Sequence, residues 1–377
     1  IYVNPTPRLS VDVSDTIYCD SSTINISVTD QILNVLGTKV YELTTTYDSD
    51  SLGGVTPDGE YAAGTDISDQ LFNYSRQVQT VTYNFKARIR DPRGPATGYC
   101  DQGKDTSITI YVNPTPRLSV DVSDTIYCDS STVNISVTDQ ILNILGTKVY
   151  ELTTSYDSDS LGGVTPDGEY AAGTDISDQL FNYSHQVQTV TYTFKARIKD
   201  PRGPATGYCD QGKDTSITSY VNPTPRLSVD VSDTIYCDSS TIDITVDDDL
   251  LNVLGSKVYE LTTSYDSDSL GGVTPDGEYA AGTDISDQLF NYSRQVQTVT
   301  YTFKARIRDP RGPATGYCDQ GKDTSITIYV NPTPRLSVDV SDTIYCDSST
   351  VNISVTDQIL NVLGTKVYEL TASYDSD

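Results

Sequence analysis

The residues able to do covalent chemistry are seven cysteines: Cys19, Cys100, Cys128, Cys209, Cys237, Cys318 and Cys346. Their spacing alternates between 81 and 28 residues, with no CxxC pair. Zinc sites need closely spaced thiolates or imidazoles, and the chain holds a single histidine, His185. Regular cysteines in a chain rich in Ser, Thr and Asp favour disulfides and an oxidising, extracellular location. Buried free thiols are the plainer alternative. Carboxylates are the other abundant reactive type. Asp48 and Asp50 stand two apart in a Gly/Ser-rich stretch, with Asp58 and Glu60 nearby, and the pattern returns at Asp157/Asp159 and Asp266/Asp268. Hard oxygen ligands in a loop suit Ca²⁺, but the EF-hand glycine and terminal glutamate are missing. A solvated acidic loop is the simpler reading, and no cofactor is expected. Catalysis is not expected either. No Ser/His/Asp set forms around His185, whose counterparts one repeat away are Arg76 and Arg294. A residue exchanged with arginine reads as a surface side chain.

These residues recur because the whole chain recurs. Tyr-Val-Asn-Pro-Thr-Pro-Arg-Leu-Ser-Val-Asp-Val starts at Tyr2, Tyr111, Tyr220 and Tyr329, a period of 109 residues. That is the length of a small domain rather than of a solenoid turn. The expected organisation is a tail of a preceding repeat (1–4), three repeats (5–113, 114–222 and 223–331) and a partial fourth (332–377). With no methionine and cuts inside the period, the sequence reads as a window on a longer periodic polypeptide. The net charge of −27 argues against nucleic acid and anionic membranes as partners and keeps an array soluble. No apolar run reaches the length of a membrane span, so no membrane insertion is expected.

Within the first repeat, Asn4-Pro5-Thr6-Pro7 reads as a stiff, extended joint that buries little, because proline fixes φ and donates no hydrogen bond. Leu9, Val11 and Val13 alternate with polar residues as a half-buried strand, and Ile24, Ile26 and Val28 as a second. Cys19 to Ser22 is a turn. Asp30 to Gly37 has a capping residue, an apolar cluster and a final glycine, which predicts one or two helical turns. Val40 to Tyr47 is a strand with Tyr41, Leu43 and Tyr47 on one face. Asp48 to Gly64 reads as loop with short edge strands, and Ile67 to Ser75 as a strand. Val78 to Asp91 alternates most clearly, with Val81, Tyr83, Phe85, Ala87 and Ile89 inward. Pro92 to Lys104 is a loop carrying Cys100. Ile108, Ile110 and Val112 close the repeat. Ile110 becomes Ser219 in the next copy, which fits an exposed strand end. Tyr18, Tyr99 and Tyr111 find no inward place. The pattern is all-β: a tandem array of β-sandwich domains, with tyrosine and phenylalanine filling the core in the absence of tryptophan.

Five motifs carry a resemblance: Val-Asn-Pro-Thr-Pro; Ile-Tyr-Cys-Asp-Ser-Ser-Thr-Ile-Asn-Ile; Gln-Thr-Val-Thr-Tyr; Gly-Tyr-Cys-Asp-Gln-Gly; and Ile-Thr-Ile-Tyr-Val. Together they resemble the PKD-like, immunoglobulin-like repeats of giant surface adhesins in gliding Bacteroidetes, along the full length of every repeat. The resemblance implies export by the type IX system and display as a long surface filament, with a role in adhesion and gliding motility. The stretch from Asp48 to Ser75 is longer than in the commonest form, and the chain is more acidic. Asp-Thr-Ile and Asp-Ser-Leu resemble the O-glycosylation signal of those bacteria, giving candidate acceptors Thr16, Thr125, Thr234 and Thr343, and Ser51, Ser160 and Ser269. Asn25 and Asn73 fit the Asn-X-Ser sequon.

The favoured function is a structural stalk at the cell surface, partnered by its own neighbouring repeats. The alternative is a multivalent module for an unknown glycan or surface ligand, which an exposed aromatic cluster would favour. An immunoglobulin-like topology would place the turn with Cys19 and the loop with Cys100 at opposite ends of one domain. A disulfide needs Cα atoms within about 7 Å. The pairing expected on that topology joins adjacent repeats, Cys19–Cys209 and Cys128–Cys318. The in-repeat pairs Cys19–Cys100, Cys128–Cys209 and Cys237–Cys318 are the alternative.

Overall fold

The structure is a computed structural model and describes residues 1–93, 98–201, 207–311 and 316–374. Among these it is all-β, without a helix. The first repeat contains β1 (Leu9–Val13), β2 (Ile17–Tyr18), β3 (Thr23–Asp30), β4 (Thr38–Tyr47), β5 (Leu52–Gly53) and β6 (Gly59–Ala62). It continues with β7 (Ile67–Gln70), β8 (Phe72–Asn73), β9 (Gln79–Arg90), β10 (Tyr99–Cys100) and β11 (Asp105–Val112). One sheet runs β1-β3-β7 and the other β2-β11-β9-β4-β6, with β10 beside β9 and β5-β8 as a separate ribbon. The first strand is split between sheets: β1 lies antiparallel to β3, and β2 parallel to β11. This closes an immunoglobulin-like sandwich, and the second and third repeats copy it. Part of the loop expected over Pro92 to Lys104 lies outside the described residues.

Period-2 alternation builds the core. β9 buries Gln79, Val81, Tyr83, Phe85, Ala87 and Ile89 on one face, with Val81, Tyr83 and Phe85 in one core with Ile24, Ile26 and Val28 of β3, because successive side chains of a strand point to opposite faces. The missing tryptophan is replaced by Tyr41, Tyr83 and Phe85, all fully buried. Tyr83 donates a 2.6 Å hydrogen bond to the buried Asp69, whose carboxylate also accepts from the Thr56 N–H at 2.9 Å. Burial and this acid push the Tyr83 phenol far above its ordinary value. Tyr18 packs partly buried against this core, while Tyr99 and Tyr111 stay exposed.

Four expectations need correction. Asp30 to Gly37 forms no helix; its backbone groups bond outside the segment, as described below. Tyr47 does not share the burial of Tyr41 and Leu43: it sits at the end of β4 and is half-exposed. Ser219 is not at an exposed strand end. It is fully buried opposite Val190, and its hydroxyl has no partner. The Asn-Pro-Thr-Pro joint does not bury little, since Pro114, Pro116, Pro223 and Pro225 are all buried.

Candidate functional site: the joint between repeats

The most densely bonded region outside the cores is the joint. It is built from the far end of one repeat and the near end of the next, with hydrogen bonds running both ways. Cys19-Asp20-Ser21-Ser22 is a tight turn closed by Ser22 N–H to Cys19 O at 3.2 Å, with Ser21 in the left-handed region (φ 62°). The turn holds Cys19 outward. In the second repeat the short strand Tyr208–Cys209 pairs with Gln188–Lys199, setting Cys209 against Ile198. Cys19 and Cys209 are disulfide-bonded with Cα atoms 5.3 Å apart, and Cys128 and Cys318 likewise. The in-repeat pairs Cys19–Cys100, Cys128–Cys209 and Cys237–Cys318 do not form. Cys100, Cys237 and Cys346 are exposed thiols. A small apolar cluster surrounds each bond: Ile141, Ile198 and Cys209 with Cys19 and Ile144, and then Leu250, Ile307 and Cys318 with Cys128 and Val253.

The segment expected to be helical is the second clamp. Asp139 turns its carboxylate onto the Ile141 N–H at 3.1 Å, and Lys148 ties Asp139 and the Ile141 carbonyl together. The following backbone is thereby free to reach the preceding repeat. Leu142 N–H donates to Arg76 O at 2.8 Å, and Val78 N–H donates to Asn143 O at 2.7 Å. Asn113, buried, grips Leu145 with both ends of its amide: Nδ2 donates to Leu145 O at 2.8 Å, and Oδ1 accepts Leu145 N–H at 2.9 Å. The next joint repeats this with His185, Val187 and Asn222 against Leu251, Asn252 and Leu254. A helix would have consumed these backbone groups internally.

Two polar contacts complete the joint. Thr115 donates to Asp20 across it, and the other oxygen of Asp20 accepts Asn73 N–H at 2.8 Å. Arg311 of the third repeat forks onto Asp124 of the second at 2.6 and 3.0 Å. Its guanidinium holds the Asp124 carboxyl below the ordinary range, helped by the backbone N–H groups of Ile126 and Thr125. Gly212 packs so close to Pro116 O, 2.7 Å from where a Cβ would sit, that no larger residue fits. The proline joint is thus seated on its own repeat. A cleft of about 150 Å³ beside the staple is lined by Asp15, Tyr18, Asn113 and Tyr208 among others.

The other candidate residues lie elsewhere. Asp48, Asp157 and Asp266 accept the N–H groups of Thr80, Thr189 and Thr298, at 3.0, 2.8 and 3.1 Å. Asp58 accepts Thr45 N–H at 2.7 Å, and Glu60 pairs with Arg90. Asp50, Asp159 and Asp268 are exposed. Among the described residues no three His, Cys, Asp or Glu side chains converge as metal ligands. Thr16, Thr125, Thr234 and Thr343 are exposed, whereas Ser51, Ser160 and Ser269 are half-buried. Asn73 cannot serve as a glycan acceptor in the folded repeat. It is buried, with its amide donating to Gln77 O at 2.9 Å and Val112 O at 2.7 Å. Sequence reasoning missed the clamp asparagines, although Asn stands before the first proline of every copy, at 4, 113, 222 and 331.

No known protein-family profile matches the chain, and no curated protein does. Solved structures do align. The native α2-macroglobulin of Escherichia coli is 9% identical at a TM-score of 0.25, covering 90% of this chain and 24% of its own. The adhesin FdeC of Escherichia coli is 11% identical at 0.31, covering 87% and 99%. An I-band fragment of titin is 8% identical at 0.41, covering 87% and 98%. The chain thus spans about a quarter of the length of the α2-macroglobulin it matches.

Proposed function

We propose that this chain is a load-bearing stalk segment of an extracellular surface fibre. Its units are the repeats 5–113, 114–222 and 223–331, and it has no catalytic role. The carrying observation is the joint. The first two joints each combine a covalent bond, a pair of backbone hydrogen bonds and an amide clamp, which is more than a flexible linker needs. Near-identical repeats add length without adding chemistry. Disulfides between repeats require an oxidising compartment. The resemblance to gliding adhesins extends the reading to a filament delivered by type IX secretion and displayed at the cell surface. Small-angle scattering of the oxidised chain tests the stalk. A rod-like pair-distance distribution is expected, and a freely jointed or collapsed one would overturn the reading. Non-reducing peptide mapping tests the staple. The Cys237 peptide carries Asp243 and Thr245 as mass tags. Cys318 should be linked to the Cys128 peptide and not to that one.

A further inference from the structure

Each of the three full repeats carries an exposed tyrosine stacked beside a half-buried phenylalanine that neither the core cluster nor the joint uses. Tyr74, Tyr183 and Tyr292 are 72%, 69% and 70% exposed, on the β5-β8 ribbon and its copies. Each ring stands nearly parallel to a half-buried phenylalanine, Phe72, Phe181 or Phe290, with centroids 6.2 Å apart and planes within 7°. The ribbon is shaped to seat them. A Cβ on Gly53 would lie 3.1 Å from the Tyr74 ring. Gly54 has φ +82°, and a Cβ there would strike Gln70 O at 1.8 Å. Gly54 is therefore a position only glycine can hold, and Gly53 lets the tyrosine ring lie close to the backbone. Tyr74 N–H donates to Ser51 O at 2.8 Å, which ties the tyrosine backbone to the ribbon.

We propose that Tyr74, Tyr183 and Tyr292 are stacking platforms for a neutral polysaccharide, one site per full repeat. Two physical arguments select this ligand. The platform is one ring with a half-buried neighbour, far below the roughly 800 Å² per partner of a stable protein interface. It matches the apolar face of a single sugar ring. The net charge of −27 disfavours an anionic ligand. One such contact is weak, but identical sites along one chain act together on a polymer, where avidity gains of about 10²–10⁴ are available. The proposal is independent of the stalk reading, since a flexible array would carry the same sites.

Native gels cast with soluble mannan, β-glucan or galactomannan, each alone, test it on the full oxidised chain. At least one should retard the chain. The triple variant Tyr74→Ala/Tyr183→Ala/Tyr292→Ala should abolish retardation with an unchanged melting curve, because these side chains are mostly solvent-exposed. A variant keeping only Tyr74 should bind about ten-fold or more weakly, and the triple Tyr→Phe variant should still bind. Retardation by none of the three polymers would overturn the proposal, as would retardation that survives the triple Tyr→Ala change. Self-association in sedimentation that disappears in the triple Tyr→Ala variant would assign the platforms to a second copy of the chain and also overturn it.

Discussion

A single buried hydroxyl shows what near-identical repeats reveal. Position 110 is Ile, position 328 is Ile, and position 219 is Ser, all fully buried. The serine is smaller than the isoleucine that both neighbouring copies place there, and its own oxygen is unpartnered. Ser219→Ile should stabilise the second repeat by about 2–4 kcal/mol, from cavity filling and removal of an unsatisfied polar group. Calorimetry of the full chain should show one transition moving up while the others stay. An unmoved profile would mean that Ser219 has a partner. The sequence pattern alone could not reveal this site: alternation marks 219 as inward, and only the sheet register shows that it lies mid-strand beside Val190. Charge at the joint is equally local. Asp124 has a folded value below its unfolded one, first because of Arg311. Its contribution is therefore present above the unfolded value of about 3.9 and is lost as pH falls through the folded value. Asp124→Asn should lower the melting temperature of the joined second and third repeats at pH 7, less so at high salt. The difference between the two proteins should shrink progressively as pH falls below the unfolded value and through the lowered folded one. The pair is partly exposed, at 41% and 33%, so screening keeps the effect small.

Strands and the turn with Cys19 were legible because their signals are local: alternation, and Gly, Pro or Asp at the bends. The joint segment from Asp139 to Gly146 was not. Its capping acid, apolar cluster and terminal glycine suit a helix end, and Asp139 does bond the N–H two residues on. What the local pattern lacks is the neighbouring repeat, whose Arg76, Val78 and Asn113 take the backbone groups a helix would have kept. Tertiary partners outweigh a weak intrinsic preference. The proline joint was misread because its local pattern does not show the rest of its own repeat, where Gly103 packs against Pro7 and Gly212 against Pro116. Asn113→Ala should therefore act on coupling more than on either sandwich. It leaves Leu145 N–H and C=O without their partners, a loss of about 1–3 kcal/mol. Hydrogen exchange at Leu145, and at Leu142 and Val78 beside it, should accelerate while the strands around Tyr83 and Tyr192 stay protected. Uniform acceleration through both cores would show that the clamp supports the fold itself rather than the joint.

Across the whole molecule the two staples change how tension travels. Each spans 190 residues, so the closed loops overlap in the second repeat. Without them, the chain from Cys19 to Cys318 offers 299 residues of slack, the difference of their numbers. With them, the shortest covalent route crosses from Cys19 to Cys209, runs back to Cys128, and crosses to Cys318. Only the 81 residues between Cys128 and Cys209 carry the load. At about 3.3–3.6 Å per residue, full extension between the outer cysteines falls from roughly 1,000 Å to roughly 280 Å. Single-molecule pulling should show that shorter limit in oxidising buffer and the longer one after reduction. Equal contour lengths in the two buffers would remove the staple from the load path. A construction with one further repeat sharpens the expectation. Cys209 and Cys237 are 28 residues apart, and a bond from Cys237 to the added repeat would let force bypass two sandwiches through those 28 residues alone. At about 3.4 Å each that is roughly 95 Å of covalent path for two repeats. One sandwich strand of about 12 residues already spans roughly 40 Å. Such an array could lengthen little even with its sandwiches unfolded, so added repeats should raise the resting length without raising the stretch per repeat.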